Sequence, residues 1–132
     1  ILSNPSDLYK KQINCGGKKY GKMEINKKNV INVTNKNLDR GFDYCQKIIS
    51  KLTKNRDFYI GVTKYPEGRL AFHIEDKKLE KMVILCQTKT KTHAVKLEKK
   101  LIHKYANNEH CRNRSIGGEG VTGGKNYVYV LY

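Results

Sequence analysis

Five side chains in this chain combine reactive types with a suggestive order: Tyr59, Arg69, His73, Glu98 and Asn113. A phenol and an imidazole can move a proton, a guanidinium can neutralise an anion, a carboxylate can hold a cation, and an amide can fix a backbone. Glu98 is the sharpest of them. It lies in HAVKLEKKLIHKY, residues 93–105, a stretch with helical periodicity. At about 100° per residue, Ala94, Val95, Leu97, Leu101, Ile102 and Tyr105 form one apolar arc, while Lys96, Lys99, Lys100, His103 and Lys104 form the opposite face. Glu98 falls in the middle of the apolar arc. A carboxylate there is costly unless it is paired, hydrogen-bonded or bound to a metal. It is therefore either a functional ligand or half of a buried ion pair, with Arg69 as the candidate partner.

The elements that must position these residues follow from periodicity. Leu38–Lys54 reads as a helix with an apolar stripe of Phe42, Cys45, Ile48, Ile49 and Leu52, capped by Asn37 or Asp39. Asp57–Thr63 is a strand built on Phe58, Tyr59, Ile60 and Val62. Pro66 opens a short helix over 67–76, which puts Arg69 and His73 one turn apart on one face. Lys81–Thr88 is a second apolar strand, and Thr90–Ala106 is the helix that carries Glu98. A loop over 107–126 holds Asn113 and a cluster of glycines, and the chain closes in a strand, Tyr127–Tyr132. Residues 1–37 are polar and rich in Lys and Asn, with one or two short strands expected within Met23–Val33. The pattern predicts an α+β domain over 38–132, with a small mixed or antiparallel central sheet of three strands flanked by helices, preceded by a basic extension over 1–37.

The 132 residues suit one domain, and 38% hydrophobic with 30% charged residues suits a soluble protein. The formal net charge of +15 points to a polyanionic partner, nucleic acid or an anionic surface. A Lys- and Asn-rich coding bias is the bland alternative. No apolar run reaches membrane-spanning length and no signal-peptide pattern is present, so no membrane partner and an intracellular setting, nucleus or cytoplasm, are expected. The chain starts with Ile1 rather than Met, so a preceding segment is expected to be missing or cleaved. Cys15, Cys45, Cys86 and Cys111 are widely spaced without a C-x-x-C pair, which argues for reduced thiols, Cys86 in the core, and against a zinc site.

Tyr59-Ile60-Gly61, then Arg69 and His73, within YIGVTKYPEGRLAFH, resembles the GIY-YIG nuclease family. That family has a strand ending in a Y-[IV]-G motif, an Arg a short distance on, a His or Tyr one helical turn later, a Glu on a core-facing helix and an Asn beyond it. Glu98 and Asn113 complete the order here, and the resemblance covers residues 57 to about 118. One element is displaced. The family's opening strand, with its Gly-Ile-Tyr motif, normally precedes the Tyr-Ile-Gly strand, but helix 38–54 occupies that place. The terminal Tyr127-Val128-Tyr129-Val130-Leu131-Tyr132 resembles that strand moved to the C-terminus, a circular permutation. It should pair antiparallel with strand 57–63, with Tyr127 or Tyr129 as the first-motif tyrosine.

The resemblance implies phosphodiester cleavage in DNA, duplex or branched, leaving 5′-phosphate and 3′-hydroxyl ends, with one Mg²⁺ (or Mn²⁺) held by Glu98. It implies that Arg69 grips the scissile phosphate, Tyr59 assists proton removal from water, and His73 orients the tyrosine or relays the proton. Asn113 would fix the active-site backbone or Arg69, and Gly61 would allow close approach of the phosphate. Lys64 and Tyr65, with Lys96 and Lys100, would contact the DNA backbone. Each has a plain alternative: a packing tyrosine, a surface histidine, an ordinary loop asparagine, a solvated lysine face. A homodimer would be needed for a concerted double-strand cut. The competing function is a basic nucleic-acid-binding module on a nuclease-like fold, without catalysis.

Overall fold

The helix of the Cys45–Ile49 stripe, α1, runs Leu38–Leu52 and buries Cys45 and Ile49 against the sheet. Ahead of it, Thr34 caps a 3-10 turn over Asn35–Asn37. Asn37 occupies the N-cap position of α1 but makes no cap bond there. Its side chain instead accepts from the Thr34 N–H at 2.6 Å and donates to the Asn32 carbonyl at 2.9 Å. The computed structural model describes residues 24–26, 30–70, 79, 81–115, 117 and 121–132. His73 and Cys15 lie outside the described residues.

The sheet has five strands, not the expected three. Strands β1 (Glu24–Asn26) and β2 (Ile31–Val33) run parallel to β4 (Lys81–Thr88) and pair with successive stretches of it, 81–83 and 86–88. Such three-residue strands carry too little periodicity to be counted from sequence, although their presence within 23–33 is as expected. On its other side β4 pairs antiparallel with β5 (Asn126–Leu131), and β5 pairs antiparallel with β3 (Tyr59–Thr63). The C-terminal strand thus lies where the displaced-strand reading put it.

Alternation along these strands gives the sheet two buried faces. Ile60, Val128 and Val130 join α1 and α2 (Lys91–Lys104) in one core, with Phe58 and Tyr105 edge-to-face at 5.3 Å. Met82, Ile84, Tyr129 and Leu131 form the other with Leu70 and Leu79. A register shift between Ile84 and Cys86 lets β4 feed both, with Leu85 and Cys86 turned to the helical face. Cys45, Cys86 and Cys111 are free thiols, and the Cys45 and Cys86 sulfurs sit 3.9 Å apart in the core. The hydrogen bond to Cys86, with burial, drives the Cys45 thiol far above its ordinary value, so it stays protonated. Each buried aliphatic side chain of these cores contributes about 1.5–3 kcal/mol.

Candidate active site

Thr90 caps α2, its hydroxyl accepting from the His93 N–H at 3.3 Å. The helix buries Ala94, Leu97, Leu101 and Ile102, and Glu98 with them, at 7% exposure. The segment after Asn113 returns over this carboxylate. Gly117 has φ +93°, and a Cβ on it would stand 3.2 Å from Glu98 Oε1 and 2.9 Å from Ile102 Cδ1. Glycine suits that turn, where any side chain would crowd the carboxylate.

β3 and β5 bring the aromatic groups in. Tyr129 pairs with Gly61, and a Cβ on Gly61 would fall on the Tyr129 phenol, so the glycine is what lets the ring cross the strand. The Tyr129 and Tyr59 rings lie 6.5 Å apart, tilted by 37°. Tyr129 is buried, and the Arg69 guanidinium donates a hydrogen bond to its hydroxyl. Burial pushes the Tyr129 phenol well above its ordinary value, Tyr59 and Glu98 push the same way, and Arg69 opposes them. Tyr129 therefore lies within the electrostatic reach of Tyr59, Arg69 and Glu98 together. Arg69 sits on the helical residues 66–70 that follow β3, exposed at the surface while its neighbour Leu70 is buried.

Asn113 completes the frame. β3 is a terminal strand of the sheet, and residues 110–113 run along its outer edge. The Phe58 N–H donates to the His110 carbonyl at 2.9 Å, and the Arg112 N–H donates to the Phe58 carbonyl at 2.8 Å. Two residues on, the Asn113 side chain takes over the ladder. Its Oδ1 accepts from the Ile60 N–H at 2.9 Å and its Nδ2 donates to the Ile60 carbonyl at 2.7 Å. The amide thereby copies a peptide group and pins β3 between Tyr59 and Gly61.

A second cluster anchors the same segment. Asp57 accepts from Arg112 through Nε at 3.1 Å and Nη2 at 2.8 Å, and pairs with His110 Nδ1 at 3.0 Å. The His110 contact, then Arg112, holds the Asp57 carboxyl below its usual range. The sequence places His110 in the loop over 107–126 and gives Asp57 and Arg112 no chemical part. The available signal was their flanking of two strand-like segments, Asp57 before Phe58 and Arg112 before Asn113.

The remaining sequence candidates divide. Lys64, Tyr65 and Arg69 line one cleft of about 270 Å³ with Thr122 and Asn126, and Tyr65 is 58% exposed. Tyr127 lies two pairs further along β5, opposite Thr63, with Lys125 5.1 Å from its ring centre; Tyr129 is the tyrosine that meets Arg69. Lys96 and Lys100 stand about 160° around α2 from Glu98. Lys100 is engaged with α1, 3.1 Å from Asp39 and 4.9 Å from the Phe42 ring centre. The structure therefore does not bring these two lysines to the Glu98 side.

Among the described residues, no three His, Cys, Asp or Glu side chains gather as a metal-binding group. Zinc, which takes three or four protein ligands, does not suit such a donor set. A single carboxylate, rather than a cluster of ligands, is the donor set that suits a hard cation retaining most of its waters, such as Mg²⁺. Among the described residues, no helix is long and apolar enough to cross a membrane. Residues 44–112, just over half of the chain, match the model of the GIY-YIG catalytic domain. The match includes Tyr59, Gly61, Arg69 and Glu98, and stops short of Asn113 and β5. No curated protein and no solved structure matches the chain.

Proposed function

The chain belongs to the GIY-YIG family of nucleases, and from that premise we propose that it is a metal-dependent DNA endonuclease leaving 5′-phosphate and 3′-hydroxyl ends. The observation that carries this reading is geometric: the Tyr59 and Tyr129 rings lie 6.5 Å apart where Gly61 lets Tyr129 cross β3, Arg69 follows on the next helical turn, and α2 buries the Glu98 carboxylate among apolar side chains. These groups come from two strands, a helical turn and α2, and an apolar core alone would not collect them.

Arg69 contacts the scissile phosphate. A guanidinium has five donors in a fixed fork, enough to hold Tyr129 and a phosphate oxygen together, and it offsets negative charge that grows in the transition state. Tyr129, kept protonated by burial, acts as a hydrogen-bonding group that orients Arg69 rather than as a base. Tyr59 assists proton removal from the attacking water, with His73 as orienting or relay group. Glu98 would hold Mg²⁺ or Mn²⁺, which when bound supplies Lewis-acid stabilisation of the phosphoryl oxygens. Asn113 keeps Tyr59 and Gly61 in place through Ile60. Lys64 and Tyr65 meet the strand beside Arg69, and the net charge of +15 gives salt-sensitive affinity with little sequence preference. A monomer with one such site nicks; a concerted double-strand cut requires a homodimer. The enzyme would act inside the cell, where its DNA lies.

The test is cleavage of supercoiled plasmid with and without Mg²⁺, alongside Glu98→Ala at matched folding. Mg²⁺-dependent nicking that the variant loses is expected. Intact plasmid with salt-sensitive retardation by both proteins would make the chain a non-catalytic binding module and Glu98 a structural carboxylate.

A further inference from the structure

A second cavity, of about 460 Å³, adjoins the Glu98 cluster and is separate from the Arg69 cleft. Its apolar part is made by Ile102, Ala106 and Cys111, and its polar rim includes the exposed Lys99, His103, Arg114 and Ser115. Its link to Glu98 runs through Ile102. Ile102 is one turn after Glu98 on α2, and a Cβ at Gly117 would touch both. Asn113, whose amide holds β3, is part of the cavity wall.

The volume is in the range of a small-molecule pocket. A paired duplex keeps its base faces stacked inside and offers phosphates and groove edges, so it can meet the rim but not the apolar floor. An unpaired nucleotide has both an apolar face to bury and a phosphate for cationic side chains. We propose that this cavity receives the base of an unpaired DNA nucleotide next to the cleaved phosphate, with Lys99 and Arg114 on the flanking phosphates and Ser115 at the base edge. The inference rests on the nuclease reading of the Glu98 site and narrows its substrate class to DNA that carries an unpaired or extruded nucleotide.

The experiment measures binding in EDTA, so that catalysis plays no part. Two otherwise identical duplexes carry 2-aminopurine, in one as a single unpaired nucleotide and in the other paired with thymine. Fluorescence anisotropy of the parent should show about tenfold tighter binding of the unpaired form, the size of one modest contact. Ala106→Trp fills the cavity from the exposed turn that follows α2, and Ser115→Trp fills it from the opposite loop. Either variant, folded by circular dichroism, should bring the two affinities within about twofold. Equal affinities in the parent, or a preference that survives both tryptophans, would overturn the proposal. Plasmid nicking, assayed separately, reports on the nuclease reading: a preserved preference without Mg²⁺-dependent nicking would sink that reading and leave the pocket standing.

Discussion

Replacing Asn113 by Ala removes both hydrogen bonds to Ile60, the one accepted at 2.9 Å and the one donated at 2.7 Å. The Ile60 side chain is fully buried, and its N–H and carbonyl face the outer edge of the sheet, where, among the described residues, the 110–113 segment covers them. Each of the two half-buried peptide groups left without its partner costs about 1–2 kcal/mol, so the variant should lose about 2–4 kcal/mol. At about 4 °C per kcal/mol for a domain of this length, Tm should fall by roughly 8–16 °C. Asn113→Asp sharpens the test. Its carboxylate still accepts from the Ile60 N–H but sets a negative oxygen against the Ile60 carbonyl. It should be at least as damaging as Ala at pH 7, and should recover relative to the parent below about pH 4, where the protonated acid can donate. Urea unfolding at both pH values reads this out. Because Tyr59 and Gly61 flank Ile60, plasmid nicking by Asn113→Ala should drop about 10–100-fold, as expected for a sub-ångström misplacement of reacting groups. A stability loss below about 0.5 kcal/mol, the level of an ordinary surface substitution, would refute the latch.

Glu98→Gln keeps the shape of the buried side chain and should leave stability within about 1 kcal/mol of the parent while abolishing Mg²⁺-dependent nicking; retained nicking would remove Glu98 from the chemistry. Gly61→Ala drives a methyl group into the Tyr129 phenol and should cost about 1–3 kcal/mol by denaturation, with the change in Tyr129 environment visible in near-UV circular dichroism; an unperturbed spectrum would contradict the close approach. The Asp57 carboxyl is depressed by His110 and Arg112. Its contribution is therefore present above the ordinary carboxylate range of about pH 4 and disappears as pH falls through the lower folded value. Asp57→Asn should flatten the acid limb of the stability profile, and an acid limb identical to the parent's would show that the cluster does not hold the segment.

Much of this protein follows from local pattern. Helical spacing around Glu98 places the carboxylate among Leu97, Leu101 and Ile102, and the structure buries it there, because a 3.6-residue period is a nearest-neighbour property that survives in almost any fold. The same holds for the apolar runs of β3, β4 and β5. The absence of a motif strand ahead of Tyr59 even indicates where the C-terminal strand should pair. Other features have no local signature. Tyr127 and Tyr129 share a strand face, and only the register that sets Gly61 opposite Tyr129 decides which ring crosses toward Arg69. Asn113 looks like a loop residue until the fold brings it to Ile60, 53 positions earlier. Lys100 reads as part of a solvated lysine face until the fold brings Asp39 of α1 to it. By itself, then, the sequence determines which residues are buried and which chemical types are present, since burial follows periodicity. The tertiary structure alone decides partnership, because strand register and side-chain hydrogen bonds are set by distant segments whose mutual positions no local window contains.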